Sequence, residues 1–151
     1  MLAELNPDFR DVLMELSDAG VEFIIVGAYA LALNGIPRTT GAIDLLVRPD
    51  RNNAQRVIDA FTKFGAPVEA NGVTADDFAT PGAVYQIGLP PRRIDVLTSI
   101  SGVAFDEAWL TKSSVDLDGR AIHFLDRATL LKNKLASGRP KDLADASRIV
   151  G

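Results

Sequence analysis

Residues 24–47 read "IIVGAYALALNGIPRTTGAIDLLV", and the succession of textures in this stretch decides the architecture. The apolar run that starts at Phe23, "FIIV", meets Gly27 and passes into "AYALAL", which closes at Asn34-Gly35. A short continuous apolar run is a buried strand, glycine permits a tight turn, and Asn-Gly ends a helix. A second apolar run, "AIDLLV", follows and stops at Pro49. The stretch is therefore strand, tight turn, buried helix, strand. Its second strand holds one acid, Asp44. Two positions earlier, on the same face, stands Ala42, while Ile43 and Leu45 share the opposite, buried face.

Working outward, "NPDFRDVLMELSDAG" (6–20) predicts a helix. Asn6 caps it, Pro7 suits the first turn, Phe9, Val12, Leu13 and Leu16 recur at helical spacing, and Gly20 ends it. The segment "RNNAQRVIDAFTKFG" (51–65) predicts an amphipathic helix with Val57, Ile58, Phe61 and Phe64 inward. Residues 66–82 read as a loop with one helical turn at "ADDF". Then "VYQIGL", a Pro90-Pro91 turn and "RIDVLT" predict a hairpin, "FDEAWL" a short helix, and "SVDLDGRAIHFL" a second hairpin about Asp118-Gly119. Two helices end the chain, "DRATLLKNKLA" and "PKDLADASRIV", split at Gly138-Arg139. Frequent hairpins and few crossovers make the class α+β, a mixed sheet flanked by helices. At 151 residues the expectation is one domain, 1–151, with 136–151 a helical tail packed on it.

With no cysteine and a single histidine, the chain has neither a disulfide framework nor a multi-histidine zinc site. Any metal must be held by oxygen, which suits Mg²⁺, Mn²⁺ or Ca²⁺. The first residues carry acids among apolar side chains and match neither a signal peptide nor a membrane span, so a cytoplasmic location is expected. A net charge of −4 argues against broad electrostatic binding of nucleic acid. Local basic groups stand out nonetheless: Arg38 and Arg48, Arg92 and Arg93, then Lys132, Lys134, Arg139 and Lys141. Each is either a solvated surface or a contact for a small polyphosphate.

Asp95 repeats the setting of Asp44, one acid between Ile94 and Val96 in a second apolar strand. Unpaired buried carboxylates are expensive, which weighs against plain core. Three readings remain: pairing with a nearby arginine, a strand end in water, or a shared divalent cation. Gly27 at a strand-to-helix turn lets backbone N–H groups approach an anion, and Arg38 and Thr40 add a donor fork and a hydroxyl.

These residues together resemble the nucleotidyltransferase superfamily of the polymerase-beta type, in particular small bacterial members akin to minimal nucleotidyltransferases and to toxins of abortive-infection and toxin–antitoxin systems. The resemblance rests on residues 24–47, on "RRIDVLT" and on "LLKNKLASGRPKDLADA". It implies that Gly27-Ala28 holds the triphosphate, that a strand carries Asp-x-Asp, and that Asp95 is a third acid. Position 42 departs from the pattern, since Ala42 stands where the first aspartate belongs. With the flanking residues intact, the expectation is an inactivated, engineered Asp→Ala variant rather than a naturally defective member.

The resemblance further implies metal-dependent transfer of a nucleoside monophosphate from a triphosphate to an acceptor such as tRNA or a partner protein. Mg²⁺ or Mn²⁺ would rest on Asp44 and Asp95, with positions 42, 44 and 95 the catalytic set. Gly27, Ala28, Arg38, Thr40, Lys134 and Arg139 are the expected nucleotide contacts, with Asp142 pairing a neighbouring base. For Lys141 and Asp145 a salt-bridged helix pair is an equal reading, and Leu130, Leu131 and Leu135 are expected as the apolar stripe of their helix. A cognate toxin or antitoxin is an implied partner, and the rival function is a non-catalytic binding module or antitoxin of the same fold. His123 and Trp109 read as structural. Tyr29 reads as packing, with its hydroxyl a conceivable acceptor for self-modification.

Overall fold

The computed structural model describes residues 5–151. In chain order the elements are α1 (Pro7–Asp18), β1 (Phe23–Val26), α2 (Gly27–Leu33), β2 (Ala42–Val47), α3 (Arg51–Phe64), α4 (Ala75–Ala79) and β3 (Val84–Ile87). They continue as β4 (Arg93–Leu97), α5 (Phe105–Thr111), β5 (Ser113–Leu117), β6 (Arg120–Phe124), α6 (Arg127–Ser137) and α7 (Pro140–Val150). The strands form one six-stranded sheet in the order β3-β4-β2-β1-β6-β5. Pairs β1–β2, β3–β4 and β5–β6 are antiparallel, while β1–β6 and β2–β4 are parallel. This is the mixed α+β arrangement expected, with both hairpins in place and α4 as the one helical turn in the 66–82 loop.

Local signals set the helix ends. The Asn6 side chain accepts from the Phe9 N–H at 2.9 Å, Asp50 from Asn53, and Asp126 from Thr129, each filling an orphan donor of a first turn. Gly65, at φ 97°, closes α3 in the left-handed region. Burial then supplies the stability. Phe9, Val12, Leu13 and Leu16 of α1 are all buried, and each such side chain contributes about 2 kcal/mol. All four residues of β1 are buried, which fits a central strand covered on both faces.

One buried polar residue locks the sheet to α3. The Asn53 side chain accepts from the Glu22 N–H at 2.8 Å and donates to the Glu22 and Arg48 carbonyls at 3.0 Å. It thereby ties the chain just before β1 to the chain just after β2. Arg48 itself is engaged away from any phosphate, paired with Glu22 and Asp106 and lying over the Phe105 ring.

One expectation is corrected in the C-terminal helices. Leu130 is buried but Leu135 is 55% exposed, and the inward face of α6 carries Thr129 and Lys134 in its place. A charged residue can turn inward here because α7 offers it two carboxylates. The salt-bridged helix pair expected around Asp145 does form, since Asp145 of α7 is bonded to Lys134 of α6 and also to Arg38.

Candidate active site

Strand directions bring the site together. Because β2 runs antiparallel to β1, its first residues lie beside the end of β1, and Val26 is the register partner of Asp44. Because β4 runs parallel to β2, Asp44 is paired with Asp95 and Ala42 with Arg93. Two acids 51 positions apart in the chain thus become neighbours across one ladder, at the point where β1 turns into α2.

Gly27 makes room for them. Its φ of 69° places it in the left-handed region, and a Cβ there would lie 2.2 Å from Asp44 Oδ2. The Asp44 carboxyl therefore rests directly against the glycine of the β1–α2 turn. Burial and then the hydrogen bond and charge of Asp95 push the Asp44 carboxyl up to about 7. Asp95 is held by Arg93, whose Nε donates to Oδ1 at 2.8 Å and Nη2 to Oδ2 at 3.0 Å. Of the alternatives open for Asp95, pairing with an arginine is therefore realised in this structure.

The two acids open into a cleft of about 1350 Å³, bounded by the β1–α2 turn, the chain from Arg38 to Ala42, the Pro90-Pro91 turn, the segment after β4 and the junction of α6 and α7. Every expected site residue borders it: Gly27, Ala28, Arg38, Thr40, Ala42, Asp44, Asp95, Lys134 and Arg139. Five cations, Arg38, Arg93, Lys134, Arg139 and Lys141, face three carboxylates there, so the cleft is locally basic in an acidic chain. Such a field favours an anionic ligand.

Several expected phosphate contacts are engaged with protein. Thr40 Oγ1 donates to the Ala42 carbonyl at 3.0 Å and accepts from the Ala42 N–H at 3.3 Å, bracing the start of β2. Arg38 is paired with Asp145. The Lys134 ammonium is buried between Asp142 at 3.0 Å and Asp145 at 3.1 Å. Asp142 does pair with bases, as expected. Although burial works to raise its pKa, hydrogen bonds from Ser137, Lys134 and Arg139 hold it at about 2. The outcome is a continuous ionic wall, from Arg38 through Asp145 and Lys134 to Asp142 and Arg139, that ties the start of β2 to the C-terminal helices.

Sequence reasoning passed over other parts of the lining. Ser99, Ile100 and Ser101 follow β4, and Asn133 donates to the Ser101 carbonyl at 2.9 Å, joining that segment to α6. Polar residues in a loop carry no periodic signal. Arg93 reads in the sequence only as a basic residue; alternation within β4 puts it on the face of Asp95, and the β2–β4 register brings it opposite Ala42 and near Asp44. His123 and Trp109 lie outside the cleft lining, in edge-to-face contact with centroids 5.0 Å apart, and His123 Nδ1 is 2.7 Å from Ser114 Oγ.

No family model matches the chain, and no curated protein sequence matches it. Among solved structures it is similar to the crystal structure of "a putative nucleotidyltransferase" from Thermotoga maritima, with a TM-score of 0.59 and 16% identity over 97% of this chain and 94% of that one. The fold is thus nucleotidyltransferase-like along nearly the whole chain.

Proposed function

We propose that the cleft is the site of a metal-dependent nucleotidyltransferase that moves a nucleoside monophosphate from a triphosphate to an acceptor hydroxyl, and that Ala42 leaves this chain impaired in the transfer. The observation that carries the reading is the arrangement of Ala42, Asp44 and Asp95 on one face of the sheet within a cationic cleft.

The donors fit a hard cation. Two carboxylates face one another there, one of them kept partly protonated near neutral pH by burial and by the other, and the guanidinium bonded to Asp95, that of Arg93, belongs to a partly exposed side chain. Mg²⁺ is commonly held by one or two carboxylates with water and substrate phosphate oxygens completing its shell. Asp44 and Asp95 would hold it, and a Mg²⁺ or Mn²⁺ ion supplies neutralisation of phosphate charge and a lowered pKa at an attacking hydroxyl.

The chain's own residues do the rest. The β1–α2 turn at Gly27-Ala28 presents backbone close to the acids, where only a glycine leaves space for the Asp44 carboxyl, and borders the cleft on the side proposed for the phosphates. Arg139 and Lys141, at the outer edge of the cleft, attract the triphosphate. In the transfer, the acceptor oxygen bonds to the α-phosphorus as the bond to the bridging oxygen breaks and pyrophosphate departs. Asp95 lies on the acceptor's side and receives the hydroxyl proton. A tRNA end or a partner protein's hydroxyl is the proposed acceptor, in a toxin–antitoxin or phage-defence setting.

A second reading, a binding module or antitoxin without chemistry, draws on two facts. Ala42 contributes no ligand, and the described residues contain no cluster of three or more side chains able to hold a metal. Label transfer from each α-labelled nucleoside triphosphate with Mg²⁺ or Mn²⁺, onto total RNA and cell protein, separates the two. Label from the Ala42→Asp variant and little from this chain supports the transferase. No label from either folded protein supports the module.

A further inference from the structure

Ala42, Asp44, Arg93 and Asp95 form two rungs of the β2–β4 ladder, and their shared register puts all four side chains on one face. Arg93 grips Asp95 with two donors, one to each carboxylate oxygen. The two partners differ in freedom: the Arg93 side chain is 33% exposed, that of Asp95 10%. Asp95 is nearly buried in the cleft, whereas the guanidinium that grips it is partly open to solvent.

We propose that Arg93 is an internal counter-ion that occupies Asp95 in the cation-free site, yields when a divalent cation binds, and so sets the metal affinity of this chain. The inference rests on the reading of the cleft as a metal–nucleotide site. A guanidinium does not lose its proton at any working pH, so a cation approaching Asp95 meets a fixed positive charge that only movement can relieve. Repulsion between like charges on one carboxylate opposes their coexistence. Ala42, the register partner of Arg93, has no polar group to take the displaced guanidinium. Once displaced, Arg93 stays within the cleft lining, where Asp44 and a nucleotide phosphate are anions open to it.

The test is Mn²⁺ titration of the full chain, followed by electron paramagnetic resonance of the free ion, alongside Arg93→Gln and Arg93→Lys, each also in an Ala42→Asp background. Asp44→Asn serves as the control for location, and circular dichroism confirms folding. Arg93→Gln is expected to bind Mn²⁺ about tenfold more tightly, and Arg93→Lys, which loses the two-point grip, by a smaller factor. Unchanged or weaker Mn²⁺ binding by folded Arg93 variants, with Asp44-dependent binding still present, overturns the inference and leaves the site reading standing. Absence of Mn²⁺ binding in every form, or binding that survives Asp44→Asn, overturns the metal reading and this inference with it.

Discussion

Asp44 and Asp95 are direct register partners on parallel strands, so two carboxyl groups lie side by side on one face of the sheet in the cleft. Their proximity has a thermodynamic signature. Burial and the neighbouring acid raise Asp44 from an ordinary 3.8 to about 7 in the folded state. The folded protein then binds a proton that the unfolded chain releases, so stability falls as pH rises from about 4 to about 7 and levels off above. In chelator, the unfolding free energy from urea titrations should decline across that range by an amount on the order of 3 kcal/mol, and Asp44→Asn should remove the slope. A parallel slope in Asp44→Asn would place the effect elsewhere.

Introducing an acid at position 42 is the sharpest test of the chemistry. Ala42 is 6% exposed, so Ala42→Asp adds a third carboxylate to a crowded face and lowers stability in chelator. Mg²⁺ should return that stability by binding the folded form. Nucleotidyl transfer should rise about a thousandfold, equivalent to about 4 kcal/mol of barrier. Unchanged transfer by a folded Ala42→Asp protein contradicts the proposed reaction.

Gly27 carries two burdens, a left-handed backbone and contact with Asp44. Gly27→Ala should destabilise the fold by about 1–2 kcal/mol from the backbone alone and displace the Asp44 carboxyl besides. Weaker binding of a non-hydrolysable nucleotide, read by calorimetry, is the expected second effect; unaltered affinity would detach Gly27 from the ligand.

The ionic wall predicts a different outcome for Lys134. Removing its ammonium leaves Asp142 and Asp145 buried with a missing partner, at a loss of about 3 kcal/mol. Lys134→Ala should therefore lower the urea midpoint markedly and change nucleotide affinity little. A fall in affinity at unchanged stability would instead assign the ammonium to the phosphates.

Much of the architecture was legible because its causes are local. Caps at Asn6, Asp50 and Asp126, glycines at the ends of α3 and α6, and continuous apolar runs at β1 and β2 act within a few residues of themselves. The same holds for the acids. An isolated carboxylate in an apolar strand marks itself, and the spacing of two between Ala42 and Asp44 follows from the alternation of strands. Partnerships were not legible. Helical spacing locates α6 but not the rotation that buries Lys134 and exposes Leu135, since both lie near the boundary of the inward face and only the carboxylates of α7 decide between them.

By itself, then, the sequence determined the elements, the mixed sheet and the positions of the acids, because alternation, periodicity and capping are short-range effects. Tertiary structure alone decided which distant charges meet. Arg38 finds Asp145 across 107 positions, and Arg93, two residues from Asp95 on its own strand, comes opposite Ala42 and near Asp44 only through the β2–β4 register. Ion pairing depends on distance in space and on the solvent excluded around each pair, and neither is encoded in spacing along the chain.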